Sequence, residues 1–306
     1  MTSRDVDELA SRLCNWDRWG PADEVGTPNF ITPAVTMAAA TLVRSGRVHP
    51  LAVPLDSDGP AIDVDFRANP RHYMTILHQE RVRVGEVGIA DDVLLLSLQG
   101  ATQWDSLAHV SHRGVMYGGR PVSLVDSRGA EVNDVRNFSG RLATRGVLID
   151  VARARGVETL SPGESIEADE IVRLLDGTGT TVGTGDALLV RTGFLADCRA
   201  RNWVGFSGDA PGLGMSVLEW LHDHEVAAVA TDTYAVEVKP YQVAEVANPF
   251  HVVGLVYMGL LLGEIFDLEE LASDCAADGV YDFLFVAPAL PVSGGVGSPV
   301  NPYAIR

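Results

Sequence analysis

NPFHVVGLVYMGLLLGE, residues 248–264, holds the reading on which the fold turns. Pro249 suits the first turn of a helix, so residues 251–258 (HVVGLVYM) are expected to form a short buried helix. Gly259 fits its C-terminal cap, and residues 260–264 (LLLGE) then read as a strand. Downstream, residues 267–272 (DLEELA) predict another helix with Asp267 as its N-cap. Upstream, residues 216–224 (SVLEWLHDH) read as a helix carrying Val217, Leu218 and Leu221 on one face, leading into an apolar strand at 226–231. The runs 92–98 (DVLLLSL), 146–150 (GVLID) and 187–191 (ALLVR) have the length of strands buried on both faces, the last introduced by a turn at 183–186. This alternation predicts an α/β fold with a mixed sheet and a loop-rich N-terminal part. With no repeat and no linker rich in Pro, Gly or Ser, residues 1–306 read as a single domain with an extended N-terminal segment. The tail from Pro288 to Pro302, dense in Pro and Gly, is expected to be largely irregular.

Composition narrows the function classes. Of 306 residues, 46% are hydrophobic and 21% charged, which excludes a disordered or low-complexity chain. Asp and Glu outnumber Lys and Arg 41 to 23, and the net charge of −18 argues against nucleic acid and anionic membranes as partners. Cys14, Cys198 and Cys275 lie far apart, without metal-ligand spacing or an activating basic neighbour. The N-terminus has no signal-peptide pattern, and the apolar run at 252–262 is too short to span a bilayer, so a cytoplasmic protein is expected.

The densest group of ligand-type side chains is QGATQWDSLAH, residues 99–109. It follows an expected strand, where α/β proteins commonly bind ligands. One helical turn would put Asp105 and His109 on one face, and Gln99 and Gln103 share that spacing. A carboxylate and an imidazole there suit a cation such as zinc, with two amide oxygens to complete its shell. A buried Asp–His hydrogen bond with two surface glutamines explains the same pattern. On one continuous helix His251 and Glu264 would point about 140° apart, whereas the helix–Gly–strand reading lets both approach the sheet's ligand edge. Glu264 interrupts an apolar run, so it is either paired, metal-bound or turned to solvent from an edge strand. Asp232 and Glu237, flanking Tyr234, read as capping residues in a loop, and His222 and His224 as a solvated helix end. The loops at 67–78 and 203–214 would shape any pocket.

Taken together, these residues resemble the cyclase family of metal-dependent hydrolases, to which bacterial kynurenine formamidase and isatin hydrolase belong. The resemblance runs over most of the chain: Trp19-Gly20, Asp23-Glu24, Gly26-Thr27-Pro28-Asn29, the 99–109 cluster, Met116-Tyr117-Gly118-Gly119, residues 145–150, Gly185-Asp186, residues 191–193, His251 with Glu264, and Gly297-Ser298-Pro299-Val300. It implies a swivelling β/β/α domain with a mixed central sheet. The family's metal motif, H-x-G-T-H-x-D-x-P-x-H, is matched at Thr102, Asp105 and His109. Gln99 and Gln103 stand where it has histidines, Ala101 replaces its Gly and Leu107 its Pro. The pattern Q-x-x-x-Q-W-D-x-x-x-H is similar to the branch that includes trans-dienelactone hydrolase.

The resemblance implies opening of a small cyclic ester or amide by metal-activated water. It assigns Gln99, Gln103, Asp105, His109, His251 and Glu264 as metal ligands, with His109, His251 and Glu264 also moving protons. Trp19, Thr102, Trp104 and Tyr117 would contact substrate or support the ligands. It further implies one divalent metal, zinc ahead of manganese, a small-molecule substrate and a homodimer or homotetramer. Amide oxygen is a poorer zinc donor than imidazole, so a metal-free site is the alternative expectation. The rival functions are a metal-independent acid–base cyclase or dehydratase acting on a polyketide-like substrate, and a catalytically silent ligand-binding relative.

Overall fold

The computed structural model describes residues 1–61 and 64–306. A nine-stranded mixed sheet forms the centre. Its strands, numbered here in chain order, are β1 (Val48–Pro50), β2 (Gln103–Asp105), β3 (Ala143–Asp150), β4 (Ala187–Arg191), β5 (Ala228–Thr231), β6 (Leu261–Glu264), β7 (Asp282–Val286), β8 (Gly297–Pro299) and β9 (Tyr303–Ile305). Their spatial order is β1-β9-β7-β3-β4-β5-β6-β2-β8. The middle four, β3 to β6, run parallel. The flanking strands are antiparallel on both sides, β7, β9 and β1 on one and β2 and β8 on the other.

The apolar runs at 187–191 and 226–231 appear as β4 and β5, buried at every position. Leu188, Leu189, Val190 and Val229 there, and Leu261 and Leu262 in β6, are fully buried, and each such side chain stabilises the fold by roughly 1.5–3 kcal/mol before entropy is counted. The helix Ser216–Asp223 precedes β5 and buries Val217, Leu218 and Leu221, the face read from its spacing. The stretch 248–264 folds as helix, glycine and strand: an α-helical turn at Pro249–His251, a π-helix at Val252–Met258, Gly259 in the left-handed region at φ 65°, then β6. A Cβ at Gly259 would lie 2.5 Å from Tyr117 Cε2 and 2.9 Å from Gly26 Cα, so only glycine fits.

Five expectations change. The run at 92–98 is not a buried strand. Among the described residues Asp91–Leu95 pairs with Arg71–Ile76 alone, in an exposed two-stranded hairpin. The 99–109 cluster therefore does not follow a core strand; it contains one, β2. Asp105 and His109 are not on a helical turn, because Asp105 ends β2 and a tight turn follows, closed by His109 N–H donating to Ser106 O at 3.0 Å. The helix expected at 267 begins at Glu269; Asp267 accepts from Glu269 N–H at 3.4 Å, and Leu268 occupies the N-cap position. The C-terminal tail contributes β8 to the sheet and leads into β9; Pro299 lies in β8, an edge strand, where proline is tolerated.

Candidate metal centre

Strand pairing brings the site together. β2 runs antiparallel to β6 with Gln103 opposite Glu264 and Trp104 opposite Gly263. Side chains alternate along a strand, so Gln103 and Asp105 share one face and Trp104 takes the other. There Trp104 is fully buried, tilted against Phe266 and edge-on to Phe285, with Nε1–H donating to Ala287 O at 2.8 Å. Gly263 makes room for that ring, since a Cβ on it would lie 2.4 Å from Trp104 Cζ3. On the other face Gln103 Nε2 donates to Glu264 Oε2 at 2.7 Å. Ile265, next along, is held in the left-handed region at φ 63°, which costs a β-branched residue about 1–3 kcal/mol. Its N–H donates to Thr233 O at 3.0 Å and its carbonyl accepts from Thr102 Oγ1 at 2.5 Å, so the turn after Glu264 is locked.

His251 reaches the same point from the helix before β6. Its Nε2 lies 3.2 Å from Glu264 Oε1 and 3.6 Å from Asp105 Oδ2. Behind it, Glu237 closes the arrangement: its carboxylate accepts from Phe250 N–H at 2.9 Å, from His251 N–H at 3.3 Å and from His251 Nδ1–H at 2.5 Å. Glu237 thus caps the helix, the role its sequence context suggested, and also fixes the imidazole tautomer. That second contact escapes sequence reasoning, because a loop of arbitrary path separates the two residues.

Asp105, His251 and Glu264 are all buried, and one ligand atom from each lies within 4.8 Å of the others. Both Asp105 carboxylate oxygens and Gln103 Oε1 are buried without a hydrogen-bond partner. With Nδ1–H committed to Glu237, the Nε2 lone pair and the two carboxylates are acceptors facing one space, and the Gln103 amide oxygen is buried nearby without a donor. Such a set needs either a proton, held by His251 or by Glu264, or a metal ion. The donor set of carboxylate oxygens, one imidazole and an amide oxygen fits a divalent ion such as zinc or manganese. Burial pushes the His251 pKa down, but the carboxylates of Asp105, Glu237 and Glu264 outweigh it and hold it well above the ordinary imidazole value. Burial and then the neighbouring Asp105 charge raise Glu264. Burial also opposes ionisation of Asp105, yet the facing His109 and His251 bring its pKa below the usual value.

His109 stands at the edge, with Nε2 3.6 Å from Asp105 Oδ1 and Nδ1 3.4 Å from Gln99 Nε2. Gln99 therefore meets His109 rather than Gln103. Arg67 closes this side, donating from Nη1 to Gln99 O at 3.1 Å and stacking 5.1 Å over the Tyr234 ring. Neither Arg67 nor Tyr234 was singled out as a site residue from sequence, although Arg67 opens one of the loops expected to shape a pocket. The remaining residues read as substrate contacts have partners elsewhere. Thr102 Oγ1 bridges Val53 N–H and Ile265 O, a support for the Glu264 turn. Trp104 lies on the core face. Tyr117 donates to Asp23 Oδ2 at 2.9 Å and packs on Gly259, fastening the N-terminal segment. Trp19 packs edge-on to Phe30, 5.0 Å between ring centres, beneath the Arg18 guanidinium. His72 pairs with Asp92 in the exposed hairpin and His112 with the Tyr257 hydroxyl, so neither enters the cluster.

The Cyclase family model matches residues 49–238, more than half of the chain. This chain belongs to the cyclase family. A crystal structure described as that of a novel cyclase is 34% identical, covers 97% of this cyclase-family chain and 99% of its own, and superposes with a TM-score of 0.88. Isatin hydrolase A from Ralstonia solanacearum is 18% identical over 89% of this chain and 97% of its own, with a TM-score of 0.64. An isatin hydrolase bound to the product analogue thioisatinate is 16% identical over 89% of this chain and 97% of its own, with a TM-score of 0.63. These two likenesses speak for the fold of this cyclase-family protein. The comparison with curated proteins finds no match. Among the described residues no helix is long and apolar enough to cross a membrane.

Proposed function

We propose that the protein is a hydrolase that opens a small cyclic ester or amide with one divalent metal held by Asp105, His251 and Glu264. One observation carries this reading: buried acceptors of all three residues converge, with Gln103 Nε2 donating to Glu264 and Glu237 fixing the His251 tautomer. The three carboxylates of Asp105, Glu237 and Glu264, when ionised, outweigh a doubly protonated His251 by two charges and a divalent ion by one, so the metal offsets more of the cluster's charge. When bound, such a cation supplies a water of lowered pKa and polarises an ester or amide carbonyl.

The chain's own residues supply the rest. Both ring nitrogens of His251 face carboxylates, which suits holding rather than proton shuttling. His109 is freer, with its side chain 24% exposed at the mouth of the cluster. When the Gln99 amide turns its oxygen to His109 Nδ1–H, Nε2 becomes the acceptor facing the site, the tautomer a general base needs. Gln103 orients the Glu264 carboxylate through its amide N–H, so Gln103 and Gln99 serve as orienting amides where the family motif has imidazoles.

The test is metal content together with turnover of a panel of lactones and cyclic amides. The reading requires about one zinc or manganese per chain, its loss in Asp105→Ala, and turnover that drops at least about 100-fold in His109→Ala. A change under about threefold would remove His109 from the mechanism. A second reading, an acid–base cyclase or dehydratase without metal, draws on the same His251, which could hold a second proton between the carboxylates. It requires a metal-free protein that remains active. The family reading also includes a homodimer or homotetramer, and light scattering gives the mass.

A further inference from the structure

We propose, resting on the metal-centre reading, that Asn15, Trp16 and Thr27 are positioning residues for His251. They hold the helix behind His251 in its π form, so that docking of the N-terminal segment and metal occupancy of the Asp105–His251–Glu264 cluster are coupled. A helix ends in carbonyls that no turn of its own can satisfy. Residues 15–27 supply a donor to four of them in a row. Trp16 Nε1–H donates to Val256 O at 2.8 Å, Asn15 N–H to Tyr257 O at 2.9 Å, Asn15 Nδ2–H to Met258 O at 2.9 Å and Thr27 N–H to Gly259 O at 2.8 Å. Asn15 and Thr27 are buried, and Trp16 stacks on Tyr257 with 5.4 Å between ring centres. Thr27 Oγ1 also donates to Ala227 O at 2.7 Å, tying the segment to the residue before β5. Asp23 fastens the turn itself, accepting from Gly26 N–H at 2.9 Å, Asn29 Nδ2–H at 2.8 Å and the Tyr117 hydroxyl at 2.9 Å. Gly26 is thereby pressed onto the helix end, where a Cβ on it would lie 2.2 Å from Gly259 O.

The form of the helix matters to the cluster. A π-helix of seven residues, Val252–Met258, is unusual, because π turns occur mostly as single bulges inside α-helices and often at functional sites. With more residues in each turn it is wider and shorter than an α-helix, which advances about 1.5 Å per residue. Both ends of this stretch are tied down. Glu237 grips Phe250 and His251 at the start, the N-terminal segment grips residues 256–259, and β6 begins at Leu261, only two residues beyond Gly259. Relaxation towards the longer α form would therefore shift His251 against Glu264. Metal–ligand distances tolerate only about 0.2 Å. Donors at one end of the helix thus set the imidazole at the other. The coupling is reciprocal by linkage: an ion that binds the correctly placed His251 must also favour the docked segment.

The experiment titrates cobalt(II), a divalent ion whose visible bands follow the geometry of its ligands, into the full-length protein stripped of metal. Asn15→Asp keeps the size of the side chain but turns a carboxylate oxygen towards Met258 O. Trp16→Phe keeps a ring on Tyr257 and removes the N–H. Each should weaken cobalt binding by about threefold or more, the scale of coupling through a packed network, and each should alter the visible spectrum of the bound ion. Asn15→Ala, which removes the donor without adding a charge, should fall between Asn15→Asp and the wild-type protein. The reverse direction is read in the wild-type protein by hydrogen exchange: cobalt should slow the amides of residues 13–28 by about threefold or more and leave those of β4 unchanged. If Asn15→Asp does not fold, Trp16→Phe and the exchange measurement decide. Cobalt affinities within about twofold of wild type, an unaltered spectrum, or segment exchange that ignores cobalt would overturn the coupling and leave the metal centre standing. A wild-type protein that takes up no cobalt would overturn the metal centre and the coupling with it.

Discussion

Two apolar stretches with similar spelling meet opposite fates in this protein. ALLVR, Ala187–Arg191, lies in the middle of the parallel core and is buried at every position. DDVLL, Asp91–Leu95, is exposed at every position, with Leu95 66% accessible. The difference lies in neighbours rather than composition. Ala187 is in register with Gly146 on one side and Ala228 on the other, so β4 is paired along both edges and covered on both faces. Among the described residues Asp91–Leu95 pairs only with Arg71–Ile76, through a register shift between Met74 and Ile76. An apolar β-rich run announces a strand; what buries it is decided by partners far away in the chain.

The comparison can be broken at several points, and the largest effect is expected where β6 meets β2. Gly263→Ala forces a Cβ into the Trp104 ring and should cost about 3 kcal/mol of unfolding free energy in urea. A loss below about 1 kcal/mol would mean that the sheet yields there and that the site is less rigid than described. At the end of β5, burial raises the Asp232 pKa to about 6, against the hydrogen bonds it accepts from Thr192 and Gly193. A raised carboxylate pKa stabilises the fold at low pH and loses that contribution as pH climbs through the folded value. Relative to Asp232→Asn, the wild-type protein should therefore lose up to about 3 kcal/mol between pH 4 and pH 7. An identical pH dependence in the two proteins would contradict this. Glu237→Gln removes the carboxylate that orients His251 and should weaken metal binding about 10- to 100-fold. Unchanged affinity would show that the imidazole needs no orienting partner. The hairpin marks the lower end of the scale. Val84→Ser, at a fully exposed side chain, and Leu95→Ser should each change stability by less than about 0.5 kcal/mol. A larger loss would mean that another chain covers the hairpin in solution.

The same contrast explains what the sequence made legible. The strands at 187–191 and 226–231, the helix at 216–224 and the helix–glycine–strand unit around Gly259 depend on local period and punctuation, and they stand as read. Asp105, His109, His251 and Glu264 were named from residue types that need a partner when buried, and the structure brings Asp105, His251 and Glu264 into one cluster with His109 at its edge. The route was misjudged, however. Asp105 reaches the cluster from an antiparallel strand at the sheet's far side, not from a helix after a buried strand, because β2 owes its place to pairing with residues 261–264 and 297–299. Trp104 reads from sequence as a substrate contact or a support for the ligands, whereas strand alternation turns it into the core. The contact of Glu237 with His251 and the pairing of Arg67 with Tyr234 depend on loop paths, which leave no period to read.

The central claim is that the buried acceptors of Asp105, His251 and Glu264 gather around a divalent metal. Plasma mass spectrometry of the untagged protein, purified without added metal, tests it most directly. About one zinc or manganese per chain, lost in Asp105→Ala, is the predicted result. A metal-free protein whose melting temperature ignores added zinc and manganese would contradict the claim and leave His251 holding its second proton in the metal's place.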